Sequence, residues 1–182
     1  MSQPNSAKPQ YNYAFIDSQN LHLGVQAQGW KLDFKRFKSY LQSKHNVSKA
    51  FLFIGYLEEQ TDMYQKLREM GYTLVFKPTV TSGEGEIKGN VDVELVLHVM
   101  TEWQEYKRAI VVSGDGDFYA LIQYLLEQKK LEKLIIPNKH RYSQLYNDMP
   151  ESKIQFMNNL KSKLTYEMVR KRRRQSSANS SH

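Results

Sequence analysis

The chain has 182 residues, of which 40% are hydrophobic and none is cysteine. This length is typical of a single domain, and the lack of cysteine excludes disulfides and thiolate metal sites. No segment reaches the roughly 18 consecutive apolar residues of a transmembrane helix. The polar N-terminus lacks the apolar core of a signal peptide. These features favour a cytoplasmic protein without a membrane partner.

The net charge of +7 is concentrated near the C-terminus. Five of the positive charges come from one run, formed by Arg170, Lys171, Arg172, Arg173 and Arg174. Such a run indicates a polyanionic partner. A solvated tail with no partner has the same composition, so both interpretations stay open.

Short apolar runs alternate with amphipathic segments along the chain. The runs predict strands at 13–16, 50–54, 73–76, 109–112 and 134–136, with a sixth, edge strand at 153–156. Helices are predicted after the cap Asp33, before Gly71, from 91 to about 106 and after residue 118. This alternation predicts parallel βαβ units, and therefore an α/β fold with a central parallel sheet of about five strands flanked by helices.

The same pattern suggests where the domain begins and ends. We expect a disordered N-terminal arm at 1–12 and one domain at 13–157. A C-terminal helix carrying the basic cluster should follow at 158–174, with a disordered tail at 175–182. Inside the domain, residues 77–90 form a long glycine-rich loop.

The segment 113–118, Ser-Gly-Asp-Gly-Asp-Phe, is the most informative motif. It places Asp115 and Asp117 where an apolar strand ends and a helix begins. In an open α/β sheet this edge is where ligands bind. Two close carboxylates repel each other when both are ionised, so we expect a divalent cation or basic side chains nearby.

Two other segments deliver acidic side chains to the same edge. Asp17 directly follows the first strand, and Asp92 lies in the first turn of the helix after the glycine-rich loop. Each aspartate alone has a structural explanation, such as a cap or a turn, but together they predict one site. Oxygen ligands without cysteine suit Mg²⁺ or Mn²⁺, which can orient a phosphate and activate water. Lys88 and the loop glycines would let the backbone approach a bulky polyanion.

Three motifs, in this order, resemble the NYN family of PIN-like nuclease domains. They are Phe15-Ile16-Asp17-Ser18-Gln19-Asn20, Lys88-Gly89-Asn90-Val91-Asp92-Val93 and Ser113-Gly114-Asp115-Gly116-Asp117-Phe118. The resemblance covers residues 13–156 and implies a PIN-like three-layer fold and metal-dependent cleavage of RNA. It also implies a catalytic metal cluster of Asp17, Asp92, Asp115 and Asp117. Asn20 and Ser113 would orient the cluster or contact the substrate.

One position departs from the family pattern. Many relatives carry another acid six residues after the motif aspartate Asp92, and this chain has His98 there. His98 would ligate Mn²⁺, contact a phosphate of the substrate, or pack within its helix. Fewer negative charges should bind metal more weakly, so this substitution bears on catalytic competence.

Two rival functions fit parts of the pattern. Residues 114–117 are similar to the metal loop of haloacid-dehalogenase-type phosphatases, but those enzymes need an acid where Gln19 stands. A non-catalytic RNA-binding or adaptor module is the other alternative. Several tyrosines would favour single-stranded RNA as the partner by stacking on unpaired bases, among them Tyr11, Tyr119, Tyr142 and Tyr146. A homo-oligomer is also compatible with the sequence.

Overall fold

The computed structural model describes residues 9–76 and 91–167. In these ranges the chain forms six strands, namely β1 Asn12–Asp17, β2 Val47–Ile54, β3 Tyr72–Phe76, β4 Ala109–Val112, β5 Leu131–Ile136 and β6 Ile154–Phe156. All neighbouring strands are parallel, in the order β3-β2-β1-β4-β5-β6. The predicted α/β class is confirmed. Within the described ranges the sheet has six strands rather than about five, because the predicted edge strand forms.

Helices cover both faces of this sheet. They are α1 Ser18–Gln26, α2 Phe34–His45, α3 Thr61–Glu69, α4 Val91–Thr101, α5 Tyr119–Glu127 and α6 Lys161–Leu164. One buried apolar cluster joins the sheet to α1, α2, α3 and α6, and a second joins it to α4 and α5. Ile16 of β1 belongs to the first cluster and Phe15 to the second, because successive strand side chains point to opposite faces. The architecture therefore has three layers.

The strand order places a reversal at the centre of the sheet. From β1 the sheet grows through β2 to β3 on one side, and from β4 it grows through β5 to β6 on the other. The helices that follow β1 and β4 pack on opposite faces. Such a reversal opens a crevice beyond the carboxyl ends of the two central strands.

Local signals account for the helix ends that the sequence predicted. Asp33 caps α2, since its Oδ1 accepts a hydrogen bond from the backbone N–H of Arg36 at 3.0 Å. Gly71 follows α3 with a φ of +86°, a conformation that a helix C-terminus often requires and that glycine adopts without strain.

Helix α4 ends at Thr101, five residues before the predicted end near 106. Long-range contacts explain the difference. The N–H of Lys107 bonds to the carbonyl of Tyr11, and the Lys130 ammonium donates to the carbonyls of Trp103 and Tyr106. These groups are therefore engaged by partners outside the helix.

The C-terminal helix predicted over 158–174 is wrong in the part that the structure describes. Residues 157–160 form a 3-10 turn, and α6 ends at Leu164. Thr165 is extended and forms an antiparallel bridge with Leu32. The N–H of Asp33 donates to the carbonyl of Leu164, and the N–H of Tyr166 donates to that of Lys31, both at 2.8 Å. This pairing replaces further helical hydrogen bonds.

Several predictions concern residues outside the described ranges. They are residues 1–8 of the N-terminal arm predicted at 1–12, the glycine-rich loop with Lys88, the basic run 170–174 and the tail at 175–182. At the start of the domain, β1 begins at Asn12, one residue before the predicted boundary. Among the described residues, no helix has both the length and the apolar character needed to cross a membrane.

Candidate active site

Asp17 lies at the carboxyl end of β1 and is held from two directions. It is the last residue of the strand and the cap of α1, where its Oδ1 accepts a hydrogen bond from the N–H of Asn20 at 3.0 Å. Its Oδ2 accepts a hydrogen bond from the Ser113 hydroxyl at 3.2 Å. Ser113 directly follows β4, which pairs with β1. Pairing of the central strands therefore delivers Ser113 to Asp17.

The network continues from Ser113 to the two aspartates of the segment 113–118, which we call the central motif. The Ser113 hydroxyl oxygen accepts a hydrogen bond from the N–H of Asp115 at 3.1 Å. The Asp115 carboxylate in turn accepts one from the N–H of Asp117 at 3.1 Å, which caps the 3-10 turn Gly116–Phe118. Asp115 and Asp117 are exposed, whereas Asp17 is only 6% exposed. One buried acid thus lies behind two exposed ones.

Asn20 fastens the first turn of α1 to the central motif. Its side-chain oxygen accepts a hydrogen bond from the N–H of Gly114 at 2.9 Å. Ser113 is 1% exposed, so its hydroxyl orients Asp17 from below the surface. The orienting role expected for Asn20 and Ser113 stays a prediction, which these contacts support.

Burial and the nearby charge of Asp115 shift the pKa of Asp17. Burial raises the pKa of Asp17, although hydrogen bonds from the Asn20 N–H and Ser113 oppose the shift, and the negative charge of Asp115 raises it further. Burial and a like charge both disfavour the ionised carboxylate. A bound cation would lower this pKa again and keep both carboxylates ionised.

Asp92 approaches the site from the α4 side. Together with Asp117 it lines a cavity of about 450 Å³ whose other walls are apolar side chains of α4, including Val96, Leu97 and Met100. The fourth predicted acid therefore lies at the same edge of the sheet, across an open space from the central motif.

The predicted metal cluster of four aspartates stays a prediction. Within residues 9–76 and 91–167, no three His, Asp or Glu side chains are grouped closely enough to hold a metal ion. Protein-bound Mg²⁺ usually keeps several waters and takes one or two carboxylates together with substrate phosphates. The pair Asp17 and Asp115 fits that pattern, because it offers two neighbouring carboxylates without sulfur ligands.

His98 lies in the contact between α4 and β2. Its Nδ1 is 2.9 Å from the carbonyl oxygen of Glu94, which accepts a hydrogen bond when Nδ1 carries the proton. Its ring makes edge contacts with Phe51 and Phe53, with centroids 5.6 and 5.3 Å away. These contacts correspond to the packing role among the three considered for His98.

Two residues of the loop after β5 support the motif and were not placed there from sequence. The Tyr146 hydroxyl donates to the carbonyl of Asp115, and the N–H of Ser143 donates to that of Gly114 at 2.9 Å. Burial raises the pKa of Tyr146, and the charges of Asp115 and Asp117 raise it further, so the phenol stays a donor. No spacing pattern links this loop to the motif.

The predicted base-stacking tyrosines have different surroundings. Tyr146 is completely buried, so its stacking role is wrong. Tyr119 and Tyr142 are half-buried, and Tyr119 packs against Tyr146. Tyr11 is 53% exposed, but it precedes β1 and so lies at the opposite edge of the sheet from Asp17.

Comparisons with known proteins agree with this fold. The low amplitude and bright protein LabA of Synechococcus elongatus is 26% identical over 121 residues, which are 61% of this chain and 65% of that protein. The match therefore spans less than two thirds of the relative. A crystal structure of a protein of unknown function from Vibrio parahaemolyticus has a TM-score of 0.67 at 23% identity, covering 84% of this chain and 96% of that one. That likeness shows a shared fold.

A family model gives the assignment of the chain. The model of the NYN domain matches residues 13–151, which is most of the chain and includes all four aspartates. The resemblance of the three motifs is thereby confirmed. The chain belongs to the NYN domain family.

Proposed function

We propose that the protein is a metal-dependent ribonuclease that hydrolyses phosphodiester bonds of single-stranded RNA with Mg²⁺ or Mn²⁺. NYN domains are typically ribonucleases. The observation that carries the proposal is the placement of Asp17 and Asp115 in the crevice between β1 and β4, where the Ser113 hydroxyl donates to the Asp17 carboxylate and accepts from the N–H of Asp115. Ligands of open α/β folds bind at this place.

The side chains have separable roles in this proposal. Asp17 and Asp115 would hold the ion, with Ser113 and Asn20 fixing their positions. The ion would polarise the phosphate and lower the pKa of a water. Asp117, exposed at the cavity that it shares with Asp92, would accept the proton from the attacking water.

The basic residues would act on the phosphates beyond the cleaved bond. Lys88 and the run 170–174 offer cations that bind any RNA sequence, because phosphate contacts read no base edges. We assign them affinity and no sequence preference.

The first test is cleavage of end-labelled single-stranded RNA by the pure protein, with Mg²⁺, Mn²⁺ or EDTA. Cleavage should require the metal. Asp17→Asn and Asp115→Asn should each lose at least about a hundredfold in rate, since removing one group that stabilises transition-state charge typically has that effect. Glu127→Gln is the control, because it removes an exposed negative charge at the end of α5, toward the start of β5.

Two results would contradict the proposal. Activity that survives in both aspartate variants would place the chemistry elsewhere. RNA binding by the wild-type protein without metal-dependent cleavage would favour the non-catalytic RNA-binding or adaptor module.

A further inference from the structure

A second cavity opens at the same edge of the sheet, near the start of α1 and α2. Its volume is about 480 Å³. Ser18 and Gln19, the two residues after Asp17, line one side. The segment after β2, which includes Gly55 and Tyr56, lines another. This cavity is therefore next to the proposed catalytic acids but uses a different set of side chains.

The aromatic ring of Tyr56, which packs against two other rings, forms part of the wall. Tyr56 is 45% exposed, and its ring stacks on Tyr64 with centroids 5.8 Å apart and planes 29° apart. Phe76 contacts it in an edge arrangement at 5.4 Å. The Tyr64 hydroxyl accepts from the N–H of Leu57 at 2.8 Å and donates to the carbonyl of Gly55 at 3.1 Å. The ring is thus held in place before a ligand arrives.

Gly55 keeps the space beside this ring open. A Cβ placed on Gly55 would have no heavy atom within 4 Å, and its φ lies outside the left-handed region. The position therefore tolerates a side chain without backbone strain. A large side chain there would extend into open space at the wall of the cavity that Gly55 lines.

The polar groups of the wall are mainly neutral donors and acceptors. They are the Ser18 hydroxyl, the amides of Gln19 and Gln60, and the imidazole of His22. A flat apolar ring beside neutral donors and acceptors matches a nucleobase, which has a π face and a hydrogen-bonding edge. A phosphate would instead call for Lys or Arg, and neither is among the described residues that line the cavity.

We propose that this cavity, the base pocket, binds one unpaired nucleobase of an RNA strand whose backbone passes over Asp17 and Asp115. The inference rests on the proposed function for the identity of the strand. It adds a reason for single-strand preference, because a base within a duplex is paired and stacked and cannot enter a separate pocket.

The test measures RNA binding in EDTA by fluorescence anisotropy, so that cleavage does not interfere. Two ligands are compared, a short single-stranded RNA and the same backbone carrying abasic riboses. Gly55→Leu places a large side chain at the wall of the base pocket, and Tyr56→Ala removes its ring. Tyr11→Ala is the matched control, because it truncates an exposed tyrosine at the opposite edge of the sheet. Thermal melting shows that each variant is folded.

Gly55→Leu and Tyr56→Ala should each bind the RNA about tenfold more weakly, as expected when one base no longer stacks on an aromatic ring. Both should bind the abasic chain as the wild type does, and Tyr11→Ala should bind both ligands unchanged. Equal affinity of wild type and both variants for the RNA would overturn the proposal. So would an equal loss of affinity for RNA and abasic chain, or displacement of the RNA by an equimolar free mononucleotide.

The two proposals fail in different ways. A wild-type protein that cleaves no RNA contradicts the ribonuclease activity. The comparison of RNA with abasic chain in EDTA then still decides whether the base pocket exists.

Discussion

At the scale of single residues, Asp17 combines a structural role with an electrostatic cost. Both of its oxygens accept hydrogen bonds, yet the side chain is buried and lies near the charge of Asp115. In the absence of metal, the ionised form is therefore less stable in the folded protein than in the unfolded chain. This imbalance gives a prediction that depends on pH.

Asp17→Asn should raise the free energy of unfolding of the metal-free protein at pH 7. Because burial raises the pKa of Asp17 above 3.8, the folded wild type binds this proton more tightly than the unfolded chain does. The ionised Asp17 destabilises the folded wild type fully at pH values above the folded-state pKa. This destabilisation disappears as the pH falls through that pKa toward 3.8, so the advantage of the variant should shrink there. Urea unfolding in EDTA across this range measures it.

The matched control is Asp33→Asn, which exchanges the same residue types at the cap of α2. Asparagine caps helices about as well as aspartate does, so a gain confined to position 17 separates burial from capping. A stability gain for Asp17→Asn that is independent of pH would contradict the electrostatic explanation.

His98 gives a second prediction at this scale. His98→Ala should lower the free energy of unfolding by about 1–2 kcal/mol, because it removes edge contacts with Phe51 and Phe53. The rate of RNA cleavage at saturating Mn²⁺ should stay unchanged. His22→Ala, at an exposed histidine of α1, should have little effect on unfolding. Weaker metal binding with unchanged stability would instead assign His98 to the metal site.

At the scale of secondary-structure elements, α1 is fixed by a close approach to the loop after β5. A Cβ on Gly24 would lie 2.5 Å from Cβ of Pro137. The Gln28 amide donates to the carbonyls of Gly24 and Pro137, each at 2.7 Å. Since α1 begins directly after Asp17, this contact also helps to position the site.

Gly24→Ala should therefore destabilise the protein by about 1–3 kcal/mol, as overpacking does. The usual effect of this exchange inside a helix is a gain of up to about 1 kcal/mol. Gly55→Ala is the control, because its new methyl group meets open space and should change stability little. Thermal unfolding measures both, and a gain for Gly24→Ala would show that α1 can shift away from Pro137.

The elements also show which features a sequence can predict. The central strands β1 and β4 were predictable because they are apolar runs. The positions of Asp17, at the end of β1, and Asp115, shortly after β4, follow from these strands. The early end of α4 depends on the contact of Lys107 with Tyr11, and that of α6 on pairing with Leu32. Such contacts join distant parts of the chain without a repeating pattern. Support of the motif by Tyr146 escaped prediction for the same reason.

At the scale of the whole molecule, the basic run 170–174 should govern the salt dependence of RNA binding. Replacing its five cations with glutamine should weaken binding, and should flatten the plot of log affinity against log salt by about 0.7 for each phosphate that the variant no longer neutralises. Cleavage at saturating RNA should change little. Lys129→Gln, at an exposed lysine beyond α5, is a single-charge control. An unchanged slope would mean that the run binds no phosphates.

The bridge between Leu32 and Thr165 fixes the point of the fold from which the chain continues toward the basic run. It holds the C-terminal segment beside the start of α2, where Phe34 lines the base pocket and Arg36 pairs with Glu167 at 3.1 Å. Arg170 follows Glu167 by three residues, a span of at most about 11 Å. For an RNA strand in the proposed base pocket, binding to these cations would therefore be an intramolecular event at high effective concentration rather than a second encounter. Disrupting the bridge would lower the effective concentration of these cations without removing any charge.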